Sequence, residues 1–185
     1  PKFVMNSAGD QFFLPDSSQF YWDDLKGEKY LRYVPNANHS LKGTDAIESI
    51  IAFYQTVLSG KPRPRYTWTF EKDGSIRVKT QDTPKAVSVW QATNPNARDF
   101  RAYTLGKVYT SHPVKGEGDG VFVGRIKAPE KGWTAFFVEL AFDTGGKFPL
   151  KLTSAVRVLP DTLPHAGIDP ATAPLEARPE AAKSK

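Results

Sequence analysis

Two loops near the start of this chain carry residues that could do acid–base chemistry. Asp10 closes the loop Asn6-Ser7-Ala8-Gly9-Asp10, and His39 closes Pro35-Asn36-Ala37-Asn38-His39; each loop follows a short apolar run. A histidine acts as a general base near neutral pH when a carboxylate holds its other ring nitrogen. An acid after one strand and a histidine after the next is also the chain order of the last two members of a Ser…Asp…His triad in open α/β hydrolases. The serine of such a triad stands upstream on a sharp strand-to-helix turn. The sequence therefore reads as the rear half of a catalytic fold, with the missing N-terminal half as its expected partner.

Asp10 has two rivals for the role of acid. Asp16 is explained as a helix N-cap in Asp16-Ser17-Ser18-Gln19, and Asp45 as first-turn charge against a helix dipole. The chain holds no Gly-x-Ser-x-Gly. Ser7 sits in the acid turn and Ser75 in a hairpin, so neither makes a nucleophile elbow, and the chain alone is expected to be inactive. His112 and His165 lack ligand spacing, and no metal or other cofactor is expected. Gly116-Glu117-Gly118-Asp119-Gly120 reads as a flexible hairpin connection, since it lacks the calcium-loop pattern. Trp68, Trp90 and Trp133 are assigned to core, with an exposed sugar-binding platform as the competing reading.

The elements that must position Asp10 and His39 follow from periodicity. Phe3, Val4 and Met5 make a short buried strand. Asp16 opens a helix carrying Phe20, Tyr21 and Leu25 inward and ending at Gly27, and 29–34 is the next strand, which completes a βαβ unit. Thr44 caps a second helix, in which Ile47, Ile50, Ile51, Tyr54, Val57 and Leu58 recur at helical spacing, and Gly60 ends it. The expected division is an α/β part over 1–60, a linker over 61–65 (Lys-Pro-Arg-Pro-Arg), an antiparallel part over 66–159 and a Pro/Ala-rich tail over 160–185. From Tyr66 the pattern alternates, and Asp73-Gly74 signals a two-residue hairpin. Strands are expected at 86–92, 106–110, 121–127, 133–142 and 150–159. The fold class is thus the C-terminal part of an α/β-hydrolase sheet (strand-helix-strand-helix) followed by an immunoglobulin-like β-sandwich. An incomplete parallel sheet should leave an apolar patch around Phe3, Val4, Leu31 and Val34.

Bulk composition narrows the remaining classes. The 185 residues are 39% hydrophobic and 24% charged, with 12 Phe, 7 Tyr and 4 Trp, enough for a packed core. The net charge of +5 is scattered, and its densest group, Lys61, Arg63 and Arg65, sits in the linker, so nucleic-acid binding is not expected. The absence of cysteine excludes disulfides and thiolate metal sites. No apolar stretch is long enough to span a bilayer.

Two segments carry a resemblance. Gly9-Asp10-Gln11-Phe12-Phe13-Leu14-Pro15-Asp16-Ser17-Ser18 and Lys29-Tyr30-Leu31-Arg32-Tyr33-Val34-Pro35-Asn36-Ala37-Asn38-His39-Ser40-Leu41 are similar to the PhoPQ-activated pathogenicity-related protein family. The stretch from Trp133 to Leu159 resembles it as well, so the likeness runs to about Pro160. It implies an α/β-hydrolase relative of the prolyl-oligopeptidase and dipeptidyl-peptidase group, with Asp10 as triad acid and His39 as triad base. It also implies a secreted or periplasmic location, and the hydrolytic reading makes a peptide or ester the expected substrate. Asp10 stands one residue later than the usual hydrolase spacing from the strand-ending Asn6. The competing function class is a hydrolase-like scaffold without chemistry, binding or signalling through its sandwich.

Overall fold

Two parallel strands, β1 (Lys2–Ser7) and β2 (Lys29–Val34), pair in register from Lys2↔Lys29 to Ser7↔Val34. The computed structural model describes residues 1–164 and 167. β2 is buried from Tyr30 to Val34, as expected of a strand covered on both faces. The connection between the strands is shorter in helix than its sequence suggests. Only a 3-10 turn forms, at Ser17–Phe20, and Asp16 makes no side-chain cap. Its carboxylate instead meets Arg98 at 2.5 Å with both side chains buried, and Phe20 points to solvent. A buried ion pair with a distant arginine has displaced the local cap.

Helix α1 (Ala46–Leu58) begins where Thr44 Oγ1 accepts the Ala46 N–H at 3.3 Å, and Gly60 follows its end at φ 62°. The face it buries is small: Ala46, Ser49, Ala52 and Thr56, with Phe53 stacked on Phe3 at 4.6 Å between ring centroids. The larger row of Ile47, Ile50, Ile51, Tyr54, Val57 and Leu58 faces outward. Small residues let the helix sit close to the sheet, and that close approach decides which face is covered.

The rest of the described chain is mostly strand: β3 (Tyr66–Phe70), β4 (Ile76–Thr80), β5 (Ala86–Asn94), a single helical turn α2 (Ala102–Leu105), β6 (Thr110–Pro113), β7 (Gly116–Gly118), β8 (Val121–Gly124), β9 (Trp133–Phe142), β10 (Leu150–Thr153) and β11 (Arg157–Leu159). One antiparallel sheet has the order β3-β4-β8-β7. The other has the order β10-β9-β5-β6, with β11 also on β9. The expected strand at 106–110 begins at Thr110, and 150–159 is broken in two around Ser154-Ala155-Val156. Glu71 N–H bonds the Ser75 carbonyl at 2.9 Å, so the hairpin loop has three residues, Lys72-Asp73-Gly74, with Gly74 at φ 91°. The stretch at Gly116 is itself a strand, and its turn lies at Asp119-Gly120.

β9 explains how the layers join. Its alternate residues Phe136, Val138 and Leu140 share a core with Ile76 and Val78 of β4. Ala135 and Phe137, on its other face, cluster with Leu31 and Tyr33 of β2. A strand covered on both sides is buried without interruption from Thr134 to Leu140. The expected patch is not open: Leu31 is 0% exposed beneath β9, Val34 is 1% exposed against Ala37 and Ala46, and Phe3 and Val4 are half-buried. Large apolar side chains surface instead along α1 and at Phe12, Phe13 and Leu14. No helix among the described residues is long and apolar enough to cross a membrane.

Candidate active site

His39 and Asp10 meet. His39 Nδ1 lies 2.9 Å from Asp10 Oδ2. In-register parallel pairing brings both loops out at the same end of β1 and β2, and local bonds then fix their separation. Ala8 N–H continues the ladder to the Val34 carbonyl at 2.9 Å, and Ser7 Oγ donates to the Ala37 carbonyl at 2.6 Å. Gly9 lies so close to the second loop that a Cβ there would fall 2.6 Å from the Ala37 carbonyl oxygen. That approach admits glycine alone.

The carboxylate is oriented by its own backbone. Asp10 Oδ1 accepts the N–H groups of Phe12 (2.7 Å) and Phe13 (3.3 Å), which turns Oδ2 toward the imidazole. An ionised carboxylate only accepts, so Nδ1 carries the hydrogen and Nε2 keeps its lone pair free. The Asp10 side chain is 9% exposed and that of His39 50%. A sheltered acid behind a reachable ring is the arrangement a general base requires. The His39 backbone N–H also bonds Gln11 Oε1 at 3.2 Å.

The antiparallel part clamps both loops from one side. Asn36, in the left-handed region at φ 55°, exchanges two hydrogen bonds with the Tyr109 backbone at 2.9 and 2.8 Å. Tyr109 Oη donates to the Ala8 carbonyl at 3.2 Å, and burial pushes that hydroxyl's pKa well up, so it stays a neutral donor. Ala102 N–H bonds the Gly9 carbonyl at 2.9 Å. These supports escape sequence reasoning because their partners lie some seventy to one hundred residues away. Only Asn36 carried a signal, since asparagine after a strand is a common left-handed residue.

Beneath the site, Arg32 of β2 is 1% exposed. Its guanidinium donates to Glu139 of β9, to both oxygens of Asp45 at 3.0 and 3.1 Å, and to the Tyr33 carbonyl at 2.9 Å. Lys151 Nζ reaches Asp45 Oδ2 at 2.6 Å. Partial burial works against the charged form of Asp45, but Arg32 and Lys151 outweigh it and hold its pKa below the usual value. The rivals for the acid are thus both engaged elsewhere, Asp16 by Arg98 and Asp45 by this network.

Of the other candidates, Ser7 lines the same cavity as His39 but its hydroxyl is engaged by the backbone, and the rest of those described lie elsewhere. Ser7 and Ser75 hydroxyls donate to the Ala37 carbonyl and to Asp73 Oδ1. His112 is exposed on β6. His165 and the tail beyond 167 lie outside the described residues. Glu117 of the glycine-rich stretch pairs with Arg125 at 2.7 Å. Trp68 packs between Tyr66 and Trp22 on one sheet, while Trp90 and Trp133 belong to the other with their indole nitrogens enclosed. The three tryptophans form no common platform.

Comparison with known proteins follows the same lines. The chain is 35% identical over 191 residues to autocrine proliferation repressor protein A of Dictyostelium discoideum, a match covering 89% of this chain and 39% of the relative. The chain thus spans about two fifths of that relative's length. No solved structure matches it significantly. The profile of the PhoPQ-activated pathogenicity-related proteins matches residues 1–101, which include both site loops and the strands beneath them. The chain belongs to the PhoPQ-activated pathogenicity-related protein family.

Proposed function

We propose that this chain supplies the acid and base of a serine-hydrolase-like site that cleaves an ester or peptide bond, with the nucleophile provided from outside the chain. The observation that carries the reading is the 2.9 Å contact between His39 Nδ1 and a sheltered Asp10 carboxylate. In this reaction His39 Nε2 takes the proton of the serine hydroxyl as its oxygen bonds the substrate carbonyl carbon. The same nitrogen returns that proton to the departing oxygen or nitrogen as its bond to carbon breaks. Water, deprotonated by His39, then releases the acid and restores the serine. Asp10 holds the tautomer and stabilises the imidazolium.

The finer fold reading belongs with this proposal. The parallel pair is taken as the last strands of an α/β-hydrolase sheet over 1–60, with 61–65 as linker. The two facing antiparallel sheets over 66–159 are taken as an immunoglobulin-like sandwich. The partner is the preceding half of the hydrolase sheet, and the intact protein is exported. Among the described residues the outer edge of β1 pairs with no strand, and this and the outward apolar row of α1 support a covering half.

The test joins the chain to the nucleophile-bearing part of its fold and treats it with a fluorophosphonate probe. Labelling of one serine that is lost in His39→Ala is expected. An unlabelled intact protein, or labelling unchanged in the variant, overturns the reading. A second reading, a non-catalytic signalling scaffold, is favoured by the name of the Dictyostelium relative, a proliferation repressor. It predicts no labelling and unchanged biological activity in His39→Ala.

A further inference from the structure

The geometry points to a subsite beside His39 for a benzene-sized apolar group carried by the departing part of the substrate; this inference rests on the hydrolytic reading above. A cavity of about 140 Å³ opens next to the imidazole, with Met5, Phe13, Leu14 and Leu41 among its walls. An apolar cavity of roughly 150 Å³ suffices to hold benzene. Three of the polar residues in its walls are engaged within the chain. Ser7 Oγ bonds the Ala37 carbonyl, Asn6 Nδ2 bonds Tyr21 Oη at 2.7 Å, and both Asp10 oxygens have partners. What remains to contact a ligand is the apolar side chains of Met5, Phe13, Leu14 and Leu41 together with Ser17 and the imidazole.

The mouth is apolar as well. Phe12 meets the imidazole edge-on at 4.9 Å and Phe13 lies 6.2 Å from it, yet the two are 70% and 62% exposed. Their backbone N–H groups hang on Asp10 Oδ1, so one carboxylate builds both the base and the lip. Leu41 takes part from a left-handed backbone, φ 55°, which a branched side chain disfavours. It is held there by its N–H on the Asn38 carbonyl at 3.1 Å and by Thr44 Oγ1 on its own carbonyl at 2.7 Å. Strain maintained by surrounding bonds is common where a side chain must be aimed. Because His39 hands its proton to the departing atom, a group resting against its ring belongs to the departing fragment. The substrates this fits are esters of aryl-bearing or branched alcohols, and peptide bonds followed by an apolar residue.

The test compares benzyl acetate with methyl acetate, whose alcohols are similarly acidic, using the chain joined to the nucleophile-bearing part of its fold. We expect kcat/KM to favour the benzyl ester by roughly 10²-fold, and Phe13→Ser to cut that ratio about tenfold. Peptides with Phe or Gly after the scissile bond repeat the comparison for amides. A labelled, active protein whose ratio is near one, or unchanged in Phe13→Ser, overturns the subsite while leaving the hydrolytic reading intact. Absence of fluorophosphonate labelling overturns the hydrolytic reading itself. On the chain alone, benzyl alcohol should shift the NMR resonances of His39 and Phe13 saturably while methanol does not. Failure of benzyl alcohol to do so also counts against the subsite.

Discussion

Replacing Arg32 with methionine is the sharpest test of how this fold holds its site. The guanidinium is 1% exposed and joins three elements: its own strand β2, Asp45 at the start of α1, and Glu139 of β9. In Arg32→Met, Asp45 keeps Lys151 at 2.6 Å. Glu139, with its side chain 11% exposed, loses the partner that neutralised it. Removing one member of a buried pair costs about 3–5 kcal/mol, because a charge is left without compensation. For a chain of this length that corresponds to a fall in Tm of roughly 6–20 °C. Adding Glu139→Gln to the same protein removes the stranded charge and should recover about 1–2 kcal/mol, since a buried neutral amide costs less than a buried carboxylate. The assay is urea unfolding at pH 7, read as midpoint and slope for the parent, the single and the double variant. A loss under about 1 kcal/mol in Arg32→Met, or a double variant no more stable than the single, would refute the reasoning.

Three further outcomes are expected. Gly9→Ala forces a Cβ against the Ala37 carbonyl at 2.6 Å, so it should cost about 1–3 kcal/mol and separate Asp10 from His39, visible as loss of the downfield Nδ1 proton in NMR. Asp10→Asn removes the charge behind the imidazole, and under the hydrolytic proposal should lower kcat of the intact protein by about 10³–10⁴-fold; unchanged turnover would remove Asp10 from that proposal. Hydrogen bonds from Arg63 and Tyr30 hold the Glu28 carboxyl down to about 2 against an ordinary value of 4.5. A lowered folded-state pKa means that its stabilisation is complete above pH 4.5 and is lost as pH falls toward 2, so Tm should decline across that window. The decline should be shallower in Glu28→Gln, and identical acid profiles would show that the Arg63 contact adds nothing.

Local chemistry was legible where it is decided by neighbours along the chain. The alternation of Tyr66 to Phe70, the run 133–142 and the stop at Gly60 each answer to a few adjacent residues, and the strands and helix stand where those residues put them, although the N-cap position falls on Asp45 and not on Thr44. The Asp10–His39 pairing was readable for the same reason: two short strands in one parallel unit must release their loops at a common end. Asp16 and α1 went otherwise. A capping box is a weak local preference, and an ion pair with Arg98, far along the chain, outweighs it. Periodicity marks an apolar row on α1, but the sheet accepts Ala46, Ser49 and Ala52 because only small side chains allow close contact.

The sequence by itself determined the first strand pair, helix α1, most of the antiparallel strands and the two residues whose side chains meet at the strand ends, because these depend on period, turn chemistry and chain order. The tertiary structure decided the rest. It buried Leu31 under β9 and braced the two site loops with Asn36, Tyr109 and Ala102. Those contacts join residues distant along the chain, and the free energy that selects them exists only once the layers have packed.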